Sequence, residues 1–314
     1  MKTPLIFVHF GDTHYLKYVL KSAVRSGNKT ILIGDESNRK YKNYGIDHYI
    51  FDDYLQNPSA HRLSEVYRRV GGTSFSEINA HKGARDWTKF NFQKWIVLEE
   101  FCKLNELSGF WTFDSDTLIF SDLNQLNDYF EEYSYSTMNE HNQLQGKLND
   151  ISVLSSFNKL VIDLFENESF LEDLMKTDFQ KNPTWGFTMM RVFESLKIQE
   201  GYNTIRLKDV VIDGATFDEC ICMPFQMEIY ESEIGRSLKM LYANGSGNIF
   251  EKVINEPTYL KLHSLNLSWV PDYHFDIVYK EFIHSKARDW SMRAIVFNRN
   301  IIDKISFKIR TKLS

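Results

Sequence analysis

The first third of the chain alternates between two hydrophobic periods. PLIFVHF (residues 4–10) is a short apolar run closed by Gly11 and Asp12, which reads as a buried strand. After Thr13, a candidate cap, Leu16, Val19, Leu20 and Val24 recur at three- and four-residue spacing, the pattern of an amphipathic helix. Ser26, Gly27 and Asn28 end it, KTILIGD (29–35) forms a second apolar run, and DHYIFDDYL (47–55) a third. Strand–helix–strand at this spacing predicts an α/β fold with a mostly parallel sheet.

Residues 56–88 are polar, carry Gly71, Gly72 and Gly83, and read as helical and loop segments across the sheet edge. A firm helix follows over 87–104, with Phe90, Trp95, Leu98, Phe101 and Cys102 on one stripe. GFWTFDSDTLIF (109–120) reads as a central strand that runs into two aspartates and then resumes. Farther on, 133–137 is a predicted strand, 157–175 and 185–197 are predicted helices, and 208–217 is strand-like. Residues 226–268 alternate apolar and polar around a Gly-rich tip at 244–248, which predicts a hairpin. With no repeat, low-complexity tract or Pro/Gly/Ser linker, the expectation is one domain over 1–285 with a C-terminal helical appendage at 286–314.

Composition narrows the class. A formal net charge of −5 argues against a general nucleic-acid binder, which would carry a basic surplus. Cys102, Cys220 and Cys222 are too few for a disulfide framework, and Cys220-x-Cys222 lacks the two-residue spacer usual in zinc and redox motifs. Reduced structural thiols and a reducing compartment are expected. The opening residues lack a signal-peptide pattern, and no stretch is long and apolar enough to span a bilayer. The expectation is a soluble, cytoplasmic chain, at most peripheral on a membrane.

Asp114-Ser115-Asp116 is the most informative feature. An Asp-x-Asp triplet alone is weak, but this one follows Phe110, Trp111, Thr112 and Phe113, at the end of a strand where open α/β sheets bind ligands. Two carboxylates leaving a low-dielectric strand resist joint ionisation unless a cation sits between them. A hard ion such as Mg²⁺ or Mn²⁺ suits oxygen ligands and bridges them to phosphates. The plainer alternative is that these aspartates cap the following turn.

Residues 94–123, with helix, strand, Asp-x-Asp and apolar continuation, resemble the GT-A class of nucleotide-sugar-dependent glycosyltransferases, closest to bacterial surface-polysaccharide transferases. Residues 7–38 resemble the nucleotide-binding half of that fold, and 259–269 the late strand that supplies a metal-contacting histidine. The resemblance implies a nucleotide-binding half over 1–125 and an acceptor-side half over 126–285. It implies Asp116 as a direct metal ligand, Asp114 on ribose or on the metal through water with Ser115 between them, and His263 completing the site. A structural histidine between Leu262 and Leu265 is the alternative for His263. Asp35 would lie near base or ribose, or else be a turn aspartate. His9, Phe10 and Gly11 end the first strand, where Gly11 allows close backbone approach. Lys94 would reach the diphosphate, or else be a snorkelling surface lysine.

The implied activity is metal-dependent transfer of a sugar from a nucleotide-diphosphate donor to a glycan or lipid-linked acceptor. PTWGFTMMRVF (183–193) resembles an acceptor-side helix that often opens with an acidic residue, but this chain has Trp185 and Gly186 there. Base candidates are therefore Asp213, Asp218 and Glu219, or else structural carboxylates, and Trp185 would stack on an acceptor sugar or else belong to a hydrophobic stripe. Residues 286–314 interleave Lys and Arg with Ile, Phe and Trp, which suits either an anionic membrane surface or a helix packed on the domain. Rival readings are a catalytically silent sugar- or partner-binding protein of the same fold, and a nucleotidyltransferase. The latter ordinarily has a Gly-rich basic loop after the first strand, absent from HFGDTHYLK.

Overall fold

The computed structural model describes residues 2–74, 86–138, 142–283, 292–295 and 297, without the side chains of 198–200. The chain divides into two compact bodies that exchange segments: 1–12, 28–114 and 122–209 in the first, 13–27, 115–121 and 210–314 in the second.

The first body is α/β. Its strands are β1 (Leu5–Val8), β2 (Thr30–Gly34), β3 (Asp47–Ile50), β4 (Phe110–Thr112), then β6 (Tyr135–Met138), β7 (Gln143–Leu148) and β8 (Thr204–Arg206), with β5 in the other body. They make one sheet in the order β3-β2-β1-β4-β7-β6-β8. β3, β2, β1 and β4 run parallel, β7 is antiparallel to both its neighbours, and β8 is parallel to β6. The sheet is mixed and mostly parallel, compatible with a Rossmann-like fold. The predicted third strand is shorter than expected, because Phe51–Tyr54 turns into a 3-10 helix.

Helices α2 (Pro58–Val66), α3 (Trp87–Leu104), α4 (Ser152–Glu166), α5 (Glu168–Leu174) and α6 (Met189–Glu200) belong to this body, and α1 (Leu16–Arg25) to the second. Trp95 packs edge-on to Phe157 and Phe193, so α3, α4 and α6 share one aromatic core. Glu99 sits inside it, accepting from Lys103, Ser155 and Asn158. Burial opposes its ionisation, but these donors outweigh it and hold the carboxyl below its ordinary range. Asp86 caps α3 through the Lys89 amide and also binds Arg69 and Tyr67.

The second body holds β5 (Thr117–Ile119), β9 (Ala215–Phe217), β10 (Ile229–Glu231), β11 (Ser237–Lys239), β12 (Leu241–Ala243), β13 (Ile249–Lys252), β14 (Tyr259–Asn266), β15 (Arg293–Ala294) and helix α7 (Tyr273–Ile283). β15, β12, β13, β14 and β5 form an antiparallel sheet, β9 pairs parallel with β14, and β10–β11 is a separate hairpin. The predicted Gly-rich tip joins β12 to β13. The strand expected over 109–120, interrupted at the aspartates, is two strands that lie in two different sheets, because the chain turns there. Helix α1 begins at Leu16 with no side-chain cap, so Thr13 does not fill the role its position suggested.

Most of 286–314 lies outside the described residues. The described part is extended rather than helical: Arg293–Ala294 pairs with β12, and Ile295 and Phe297 are buried. Among the described residues no helix is long and apolar enough to cross a membrane.

Candidate functional site

In the first sheet the strand order reverses between β1 and β4. The chain builds β2 and β3 to one side of β1 and places β4 on the other, and ligands of open α/β sheets bind at the carboxyl ends of strands at such a switch point. His9, Phe10 and Gly11 follow β1, Asp35 follows β2, and Asp114 follows β4. The structure thus brings five of the sequence-predicted residues to one end of one sheet.

A clasp fixes the ends of β1 and β2. The Gly11 amide donates to Asp35 Oδ2 at 2.6 Å, and Asn38 Nδ2 donates to the Gly11 carbonyl at 2.9 Å. Asp35 Oδ1 accepts from the Ser37 amide, and the Asp35 amide donates to Asn38 Oδ1, a capping box on the 3-10 helix Glu36–Tyr44. Gly11 has φ +91°, and the space where a Cβ would lie is open, so an incoming group can approach the backbone there. Gly34 is necessary for packing: a Cβ would come within 2.2 Å of Asn38 Oδ1 and 2.9 Å of the His9 carbonyl. His9 is buried, and Phe10 packs 6.3 Å from Phe90.

Asp114 is held from three sides. Lys94 Nζ lies 3.1 Å from Oδ1, while Gln143 and Gln145 each donate an amide to Oδ2 at 2.6 Å. The Asp114 amide donates in turn to Gln145 Oε1. Lys94 is buried on α3 rather than snorkelling at the surface. The glutamines lie on β7, every residue of which is buried. Sequence reasoning missed them because a strand reading Gln-Leu-Gln-Gly-Lys-Leu lacks an apolar run; the alternation Gln143, Gln145, Lys147 was the available signal.

Ser115 and Asp116 belong to the second body. There Ser268 Oγ donates to Asp116 Oδ2 at 2.8 Å, and the Leu267 amide to the Asp116 carbonyl at 3.0 Å. Tyr15 faces the same group: burial first, then the Asp116 charge, pushes its phenol up to about 12. Trp269 follows Ser268 with 75% exposure and φ +68°, a left-handed conformation rare for a bulky residue. Arg236 Nη1 donates to its carbonyl at 3.4 Å. Sequence reasoning passed over Trp269, since neither its exposure nor its backbone conformation has a sequence signature.

The antiparallel register sets His263 apart from Asp116. Leu267 stands opposite Asp116, whereas His263 accepts at its carbonyl from Phe120, four residues along β14 and about 13 Å away at strand spacing. Its Nδ1 bonds Ser121 Oγ at 2.8 Å, and its ring packs on Phe217. Burial, then Lys261, lowers its pKa to about 4. These are the surroundings of a neutral, packed histidine.

The base candidates are dispersed. Asp213 is exposed in a two-residue turn with φ +51°, its flanks Ile212 and Ala215 exchanging both backbone bonds. Asp218 is fully buried with Lys239, which also meets Glu251, and Glu219 is buried as well. Trp185, half-exposed beside the Arg191 guanidinium, precedes α6 rather than lying on it: the helix starts at Met189, while Gly186 bridges to Gly71.

Among the described residues no group of three or more His, Cys, Asp or Glu side chains is arranged as a metal cluster. Compared with known proteins, the chain matches no family model and no curated sequence.

Proposed function

We propose that this protein is a glycosyltransferase of GT-A type that uses a nucleotide-diphosphate sugar and passes the sugar to a glycan or lipid-linked acceptor, in surface-polysaccharide assembly at the cytoplasmic face of a membrane. The observation that carries this reading is Asp114 at the carboxyl end of β4, at the switch point, held by Lys94 and two glutamines at the same end of the sheet as the open Gly11 backbone.

In the first body the nucleotide lies over the ends of β1 and β2, with the Gly11 backbone as its floor and Asp35 toward the ribose or base. Lys94 and the two glutamine amides fix the Asp114 carboxylate, which accepts from donor hydroxyls without searching for a rotamer. In the second body Asp116 fits a divalent ion, because Mg²⁺ and Mn²⁺ commonly take one or two protein carboxylates and complete their shell with water and substrate phosphate. His263 stands too far along β14 to join it. An ion held there would supply Lewis-acid chemistry toward a phosphate oxygen. Trp269 offers an exposed aromatic face to a sugar ring in the same body.

The buried state of Glu219 and Asp218 favours a second reading, a sugar-binding protein without turnover, because neither carboxylate is open to an acceptor hydroxyl. One experiment separates the two: incubate the protein with a panel of nucleotide sugars and Mn²⁺, and follow binding and slow donor hydrolysis together. Metal-dependent hydrolysis abolished in Asp116→Ala supports the transferase. Binding without hydrolysis, with or without candidate acceptors, supports the binding protein, and no binding to any nucleotide sugar overturns both.

A further inference from the structure

Cys220 and Cys222 follow β9 in the second body, outside the groups used above. They are the first and third residues of a tight turn closed by the Met223 amide donating to the Cys220 carbonyl at 3.0 Å. Ile221 between them is pinned on both sides: its amide donates to Asn266, and its carbonyl accepts from Lys239. That pinning turns both sulfurs the same way. The Cys222 amide approaches Cys220 Sγ at 3.4 Å, and both thiols point at one acceptor, the Ser268 carbonyl, at 4.0 Å from Cys220 and 3.5 Å from Cys222. Cys220 is buried and Cys222 half-buried, so one sulfur is sheltered and the other reachable.

We infer that Cys220 and Cys222 form a reversible dithiol–disulfide site that reacts with hydroperoxides, Cys222 being the attacking and Cys220 the resolving thiol. The assignment of roles follows from the surroundings. Cys222 is the half-buried, reachable sulfur and Cys220 the buried one, and the neighbouring Cys220 thiol first, with the Arg236 guanidinium, holds the Cys222 thiol below its ordinary range while Cys220 is pushed up. Cys102 is a built-in contrast: on α3, deep in the first body, its thiol is pushed up to about 12 by burial.

The chemistry balances with the hydroperoxide as the only co-reactant. The Cys222 thiolate attacks one peroxide oxygen, the O–O bond breaks, and Cys222 becomes a sulfenic acid while the departing oxygen takes from solvent the proton that the Cys222 thiol released there, leaving as water or an alcohol. Cys220 then surrenders its proton and attacks the sulfenic sulfur. An S–S bond forms, and hydroxide leaves with that proton as water. Two thiols are oxidised by two electrons, and the peroxide is reduced by two.

The site has a readout beyond the sulfurs. Both sulfurs lie within reach of the Ser268 carbonyl, and Ser268 Oγ in turn holds Asp116. Disulfide formation leaves neither sulfur able to donate to that carbonyl, whereas the reduced pair can, so the Ser268 segment changes its hydrogen bonds when the pair is oxidised.

The test uses the full chain, treated with hydrogen peroxide and mapped by mass spectrometry after alkylation. The expected result is a disulfide inside the peptide carrying Cys220 and Cys222, reversed by dithiothreitol, with Cys102 still free. Before oxidation Cys222 should alkylate about a hundredfold faster than Cys102. Cys220→Ser should stop at a sulfenic acid on Cys222 that dimedone traps, and Arg236→Met should slow Cys222 alkylation about tenfold in a chain whose melting curve is unchanged. Absence of the internal disulfide, a disulfide between two chains in its place, or alkylation of Cys222 no faster than of Cys102 would each overturn the proposal.

Discussion

Lys94 Nζ stands 3.1 Å from Asp114 Oδ1, joining a buried helix lysine to the first aspartate of the triplet. The pair is partly solvated on the aspartate side, and two glutamine amides complete the carboxylate's shell. Removing the cation therefore leaves Asp114 supported but less well neutralised. Lys94→Met should lower stability by about 1–2 kcal/mol, below the loss expected for a fully buried pair. Calorimetric titration with a nucleotide-diphosphate sugar should show about tenfold weaker binding. Altered stability with unchanged affinity would reduce Lys94 to a support for Asp114.

The close contact of Gly34 with Asn38 gives a second prediction. Gly34→Ala places a methyl against Asn38 Oδ1 and the His9 carbonyl, so Asn38 must swing away and release Gly11. A destabilisation of about 1–3 kcal/mol is expected in urea melts. Nucleotide affinity should fall with it, whereas Gly45→Ala, at φ +80° in open space, should be strained yet leave affinity unchanged.

Ser268 and Asp116 give a graded pair. Asp116→Asn removes the carboxylate charge and should abolish Mn²⁺-dependent donor hydrolysis. Ser268→Ala removes only one hydrogen bond to Asp116 and should reduce it about tenfold, corresponding to about 1.4 kcal/mol. Equal losses in both variants would mean that Ser268 does more than hold the aspartate.

Trp269 is too exposed to matter greatly for folding. Trp269→Gly should leave the protein as stable or raise its stability by up to about 1 kcal/mol, because glycine accepts φ +68° without strain. The same change should weaken sugar binding about tenfold if the ring stacks on it. Thermal melts and titration with the free sugar of an active donor measure the two effects separately.

Two buried histidines of the second body contribute to its response to acid. Burial lowers both His263 and His274 to about 4, so each stays neutral in the folded state while its unfolded form takes a proton near pH 6.5. Their contribution to stability is complete above about pH 6.5 and is lost as pH falls toward 4. Unfolding free energies from urea melts should drop between pH 7 and pH 5, by on the order of 1–2 kcal/mol per histidine. His263→Gln should flatten that slope, and an unchanged slope would mean that the imidazole already carries a proton when folded.

Where the side-chain period was clean, the sequence announced the element. Trp87–Leu104 carries its aromatic stripe at helical spacing, and its observed bounds match the expected ones. The runs ending at Gly11 and Asp35 became β1 and β2, because apolar stretches between turn residues have few other places to go. Polar strands were hidden: β7 is buried although Gln143, Gln145 and Lys147 line it, and helix α7 was not anticipated at all. The expectation at 109–120 joined two strands that the fold assigns to different sheets, since the apolar content of a segment says nothing about its partner.

The sequence by itself determined the α/β class and the strand end on which the aspartates lie, because burial period and turn chemistry are local. Only the tertiary structure decided what surrounds them. It set Lys94 and two glutamines around Asp114, put Ser268 on Asp116, and turned Cys220 and Cys222 toward one carbonyl. It also stationed His263 four residues along β14 from the position opposite Asp116. Each depends on register and pairing between segments distant in the chain, and a single residue of slip would redirect every side chain involved.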